Sequence, residues 1–129
     1  MTEDQEQQIV VEYLETIGAL FSATAQSTYT KSWNQKAKNR RVGVRKGVPD
    51  LIVILPGYIT INGKTITLFI EMKKSKGKRG GANGSVLSDE QAVWIWQLRE
   101  SGIPAYVCYG AEDAIRQINK YITQRGTLF

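Results

Sequence analysis

An unbroken apolar run, Leu51-Ile52-Val53-Ile54-Leu55, follows an aspartate, Asp50, and stops at Pro56-Gly57. So short and continuous a run between turn signals predicts an apolar strand. About twenty residues later a second strand ends in Phe69-Ile70-Glu71-Met72-Lys73. Residues two apart on a strand share a face, so Glu71 and Lys73 project together while Met72 points to the core. If the two strands pair, Asp50 joins them. The chain is thereby expected to carry two carboxylates and a lysine at the polar end of an apolar sheet.

The remaining elements follow from local signals. Thr2 is a plausible N-cap for a helix running to about Ile17, with Gly18 as its stop. Val10, Tyr13 and Ile17 lie within roughly 40° of Glu6, and Ile9 and Leu14 flank that stripe. Glu6 therefore falls on the apolar face, where an acid needs a partner unless it meets water beyond the core's edge; Glu3 is the weaker alternative. Leu20 to Thr24 reads as a short strand, and residues 25–47 as a long mobile loop. Tyr58 to Ile61 and Lys64 to Met72 read as a hairpin joined by Asn62-Gly63. Residues 74–87 form a second flexible loop. Ser88 with Gln91 three residues on is a capping-box pattern opening a helix. Val93, Trp94 and Leu98 form its expected inner face, with Trp96 elsewhere and Gly102 after its end. Pro104 to Tyr109 is a strand holding Cys108, and Ala111 to about Thr123 a closing helix. The order predicts one α/β domain with a mixed central sheet flanked by helices.

Composition narrows the chemistry. The 129 residues contain no histidine and one cysteine. This excludes a histidine base, a Ser-His-Asp triad and an internal disulfide, and leaves a structural zinc site short of its usual Cys and His ligands. No stretch is apolar enough to span a membrane and the N-terminus is acidic, so a cytoplasmic protein is expected. The net charge is +5, and its distribution says more. No acid lies between Glu15 and Asp50, a gap holding Lys31, Lys36, Lys38, Arg40, Arg41, Arg45 and Lys46. None lies between Glu71 and Asp89, a gap holding Lys73, Lys74, Lys76, Lys78 and Arg79. Two basic blocks bracketing one acidic motif suit a phosphate backbone. Trp33 and Tyr29 either stack on bases or sugars or pin their loop to the body.

Two carboxylates suit a hard cation such as Mg²⁺, which prefers oxygen ligands. Asp50 and Glu71 supply two, and the main-chain carbonyl of Met72 a third. Lys73 would orient a water, take part in proton transfer or stabilise developing charge. Taken singly, Asp50 reads as a turn acid after Pro49, and Glu71 with Lys73 as a salt bridge at a strand end.

Gly47-Val48-Pro49-Asp50-Leu51, Ile70-Glu71-Met72-Lys73, Ser88-x-x-Gln91 and Glu6-Gln7 together resemble the VRR-NUC branch of the PD-(D/E)xK nucleases, over roughly residues 3–120 and in its stand-alone, phage-type form. The resemblance implies an αβββαβ restriction-endonuclease-like core and a Mg²⁺- or Mn²⁺-dependent phosphodiesterase. It implies Asp50, Glu71 and Lys73 as the catalytic set, with Glu6 as the first-helix acid and metal ligand, and Gln91 as the family's glutamine unless it only closes its helix cap. It also implies DNA as partner, branched as in a Holliday junction, a homodimer, and a bacterial, phage- or prophage-encoded setting. The alternatives are a less selective nickase or flap nuclease, and a non-catalytic DNA-binding module.

Overall fold

The computed structural model describes residues 1–24, 32–75 and 86–123. Tyr29, Lys31, Lys76, Lys78 and Arg79 lie outside the described residues. The elements are α1 (Glu3–Ile17), β1 (Leu20–Ala23), α2 (Trp33–Arg41), β2 (Leu51–Leu55), β3 (Ile66–Lys73), α3 (Asp89–Glu100), β4 (Ala105–Tyr109) and α4 (Ala111–Asn119). The strands form one sheet in the order β1-β2-β3-β4. The pairs β1–β2 and β2–β3 are antiparallel, and β3–β4 is parallel. A parallel neighbour requires a crossover, and α3 supplies it.

The alternation of β3 assigns the two faces of the sheet. Leu68, Ile70 and Met72 join Leu51, Val53 and Leu55 of β2 in one core with Val10, Leu14 and Ile17 of α1 and Ala114 and Ile118 of α4. Phe69 turns the other way, against Ile95, Leu98 and Ala105 under α3. Glu71 and Lys73 continue the Phe69 face, at the end of the strand where α3 begins. Helix α1 follows the expected pattern. Thr2 and Gln5 form a reciprocal capping box, Gly18 closes the helix, and Glu6 is buried with Val10, Leu14 and Ile17. Ile9 is exposed. Cys108 is fully buried and unpaired. Burial pushes its thiol up to about 12, so it is an inert core group.

Four expectations are corrected. The basic segment 25–47 is not loop throughout, because Ser32 caps α2 through the backbone N–H of Gln35. The Tyr58–Ile61 strand is absent. Gly57–Ile59 forms a 3₁₀ turn, and Thr60 makes only a single bridge, to Ile122. The Thr60 hydroxyl lies 2.8 Å from the Lys64 carbonyl and 3.1 Å from that of Gly57, gathering the segment into a compact turn. The inner face of α3 uses Ile95 and Leu98, while Val93 is exposed along with Trp96. Helix α4 ends at Asn119, and Thr123 instead donates its N–H to the Ile59 carbonyl at 2.9 Å.

Candidate active site

Asp50 sits at the entrance to β2. Its Oδ2 accepts the backbone N–H of Met72 at 2.7 Å, which ties it to β3. The pairing of Leu51 with Ile70, continued one step, sets Asp50 beside Glu71. In a strand the N–H and C=O of one residue point the same way, so the Met72 carbonyl also faces the Asp50 side.

Glu71 is 3% exposed, and its Oε1 is buried without a hydrogen-bond donor. Its Oε2 accepts the Gln91 amide at 3.1 Å and lies 3.8 Å from the Lys73 ammonium. Burial, then the charge of Asp50, pushes Glu71 up to about 8. Burial likewise raises Asp50, although the Met72 N–H opposes it. The pair can share one proton but cannot comfortably hold two negative charges. The charge of Glu3, on the first turn of α1, reaches both groups and adds to this.

Lys73 is 6% exposed and donates to Gln91 Oε1 at 3.1 Å. That same oxygen accepts the Ser88 N–H at 2.9 Å, which completes the α3 capping box. Capping the helix and bridging the acid to the lysine are therefore performed by one amide. Gln91 is held in turn by the approach of the Gly47 backbone. A Cβ on Gly47 would come within 2.5 Å of the Glu90 carbonyl carbon and 2.7 Å of the Gln91 nitrogen, and its φ is +89°. Only glycine meets both demands. Nearby, the Trp94 indole donates to the Lys46 carbonyl at 3.1 Å. The segment preceding Asp50 is thus docked on the first turns of α3.

Glu6 points elsewhere. Its Oε2 accepts the Ser75 hydroxyl, and its Oε1 accepts the Ala111 N–H at 3.2 Å. Burial raises its carboxyl, but the hydrogen bonds from Ser75 and Ala111 outweigh this and hold it below the usual range. Helix α4 has no side-chain cap of its own at Gly110, so Glu6 serves as that cap from a distance. Gly110 makes room for it: a Cβ there would lie 2.8 Å from Glu6 Oε2, and φ is +93°. The partner of the acid on the apolar face of α1 is therefore a serine and a helix end. Nothing in the sequence marks Ser75 as that partner.

Lys36, Lys38, Arg40 and Arg41 are exposed on α2, Lys46 is exposed after it, and Lys74 is exposed just past β3. Arg45 folds back to donate to the Arg40 carbonyl at 2.9 Å. The depression on the outer side of α1, lined by Asp4, Gln7, Gln8, Val11, Glu12 and Glu15, carries the opposite charge and repels phosphate.

The donor set fits a hard divalent cation. Among the described residues no three His, Cys, Asp or Glu side chains converge on one point. Two carboxylates, one with an unpartnered buried oxygen, beside a backbone carbonyl match an ion that keeps several waters.

The sequence model of the VRR-NUC domain matches residues 2–112. A comparison with curated proteins gives no match. A solved structure titled "VRR_NUC domain protein" is 26% identical and superposes with a TM-score of 0.59, over 95% of this chain and 88% of its own. Another, titled "VRR_NUC domain", is 22% identical with a TM-score of 0.60, over 92% of this chain and 97% of its own, a likeness of fold alone. The domain is a nuclease domain of the PD-(D/E)xK type, which implies DNA as substrate. Among the described residues no helix is long and apolar enough to cross a membrane. With the match running through α1, all four strands and α3, the chain belongs to the VRR-NUC family.

Proposed function

We propose that the chain is a Mg²⁺- or Mn²⁺-dependent endodeoxyribonuclease that cuts branched DNA as a homodimer. The observation that carries this reading is the buried Asp50–Glu71 pair with its unpartnered Glu71 Oε1. A carboxylate in that position is costly until a cation arrives. Asp50, Glu71 and the Met72 carbonyl would hold it. When bound, the cation neutralises phosphate charge and lowers the pKa of a coordinated water. Glu71 must first release the proton that its raised carboxyl keeps at neutral pH. Lys73, held by Gln91 on the same face, presents its ammonium to the phosphate or to the attacking water. Gln91 keeps Lys73 and Glu71 aligned while α3 stays folded. The cations of α2, with Lys46 and Lys74, supply the backbone contacts.

A dimer would bring two such sites to opposite strands of a junction. Val93 and Trp96, exposed on the outer face of α3, are its candidate contact, whereas α4 exposes no large apolar side chain. The reading includes a cytoplasmic, phage- or prophage-encoded setting. The deciding experiment incubates the protein with four-way, flap, single-stranded and linear DNAs, with and without Mg²⁺. Selective, Mg²⁺-dependent cutting of the four-way DNA supports the proposal. Equal cutting of all forms favours a general nickase, and no cutting with retained binding favours a DNA-binding module. Sedimentation reads the oligomeric state, and a clean monomer at high concentration counts against the dimer.

A further inference from the structure

Helix α2 is folded yet none of its residues is buried. A nine-residue helix is marginal in water, and this one is held by local contacts. The Ser32 hydroxyl caps it, Gln35 bonds Asn39 at 2.6 Å, and the Arg45 guanidinium meets the Arg40 carbonyl at its end. Its sides differ. Trp33, Lys36 and Arg40 fall within roughly 60° of one another at helical spacing, with Ala37 beside them. Gln35 and Asn39 flank the stripe, and Lys38 stands on the opposite side. Trp33 is 81% exposed, so it does not pin the segment to the body. The Lys36 ammonium stands 5.2 Å from the centre of its ring.

Both ends of the excursion that carries α2 are anchored beside Asp50. On the way out, the Thr24 N–H meets the Asp50 carbonyl at 2.8 Å and the Thr24 hydroxyl meets the Pro49 carbonyl at 2.7 Å. On the way back, Lys46 is held by Trp94, and Gly47 lies against Glu90 and Gln91. A cationic stripe with one exposed indole is therefore carried between one stem fastened to the backbone at Asp50 and another fastened to the start of α3. No acidic residue occurs between Glu15 and Asp50 to offset its charge.

We propose that Trp33 is a nucleobase-stacking site, and that α2 selects DNA carrying unpaired bases next to the phosphate to be cut. This rests on the reading of the chain as a DNA nuclease. Lys36 and Arg40, about one and two turns further along the stripe, engage the phosphates that adjoin the stacked base. An aromatic face beside cations is the pairing that grips single-stranded nucleic acid. A continuous duplex offers a base face only at its ends, whereas a junction centre, gap or flap offers one internally. The stripe's charge favours phosphate over a protein partner.

The test uses the Asp50→Asn protein, so that DNA stays intact, and two fluorescent duplexes of equal length, one continuous and one with a short single-stranded gap. Trp33→Ala should weaken binding to the gapped DNA by roughly 5- to 100-fold, with binding to the continuous duplex within about twofold. Trp33→Phe should retain most of the preference. A 2-aminopurine in the gap should be quenched by the parent protein and not by Trp33→Ala. Equal losses on both DNAs, or no loss on either, overturns the proposal. Cleavage by the otherwise wild-type chain separates the two readings. If Trp33→Ala cuts with undiminished choice between gapped and continuous DNA, stacking fails and the nuclease stands. If no DNA is cut with Mg²⁺ but the gap preference still depends on Trp33, the nuclease reading fails and stacking stands.

Discussion

Gln91 and Glu71 are joined by a 3.1 Å hydrogen bond from amide to carboxylate, while the other end of the same amide caps α3 and receives Lys73. The stability of a helix start and the alignment of two charged groups thus depend on one side chain. Gln91→Ala should cost about 1 kcal/mol, a fall of a few degrees in Tm, and should also slow cleavage. Gln91→Glu keeps a cap acceptor but sets another carboxyl against Glu71. It should hold Tm near neutral while still impairing cleavage. Calorimetry and single-turnover kinetics together separate the two effects.

Asp50→Asn keeps an oxygen for the Met72 N–H but removes the charge. Cleavage with Mg²⁺ should fall by on the order of 10³-fold or more, with DNA binding retained. Undiminished cleavage would sink the assignment of Asp50 to the metal site.

The raised carboxyl of Glu71 gives a signed dependence on pH. Its ordinary value is 4.5 and its folded value about 8. Between them the unfolded chain has released this proton and the folded chain has kept it. Its contribution is therefore most favourable below about pH 4.5 and is lost as pH rises through about 8. Without divalent ions, that contribution should shrink by roughly 2–4 kcal/mol across the window. Glu71→Gln should remove most of this slope. Binding of Mg²⁺ should release protons and tighten as pH rises. A metal affinity flat from pH 6 to about 8 would argue against a proton held there.

Glu6 is hydrogen-bonded to Ser75 and to the start of α4, so its first expected effect is on stability. Glu6→Ala should destabilise by roughly 1–2 kcal/mol, and Gly110→Ala by more, because the new methyl meets both Glu6 and Ser75 at positive φ. Below their melting temperatures both proteins should still cleave. Loss of cleavage in Glu6→Gln at unchanged Tm would return Glu6 to the metal site.

Replacing Lys36, Lys38, Arg40 and Arg41 together with alanine should weaken DNA binding and reduce its log–log salt slope by up to about 3.6, one contact for each cation. Titrations at several salt concentrations measure this, and an unchanged slope would remove α2 from the footprint.

The central strands were legible because Leu51–Leu55 and Phe69–Lys73 carry their burial pattern openly, and the capping boxes at Thr2 and Ser88 were legible because both partners lie three residues apart. Helix α2 escaped because hydrophobic periodicity reports burial, and α2 buries nothing; Ser32 and the absence of Gly or Pro up to Val42 were its only local signals. The hairpin reading of Tyr58–Ile61 trusted Asn62-Gly63, while Thr60 was bonded within its own turn. Asp50, Glu71, Lys73 and Gln91 could be brought together from strand register and one cap. The orientation of Glu6 could not, since Ser75 and Ala111 are distant in sequence and carry no periodic mark.

The chain leaves the sheet at Thr24 and returns at Gly47, and both stems are fastened to groups that do not belong to the excursion itself. Asp50 therefore keeps its place whatever lies between them. On the proposed reading, grafting a different stretch between these two stems should change which DNA is chosen while leaving the hydrolytic machinery untouched.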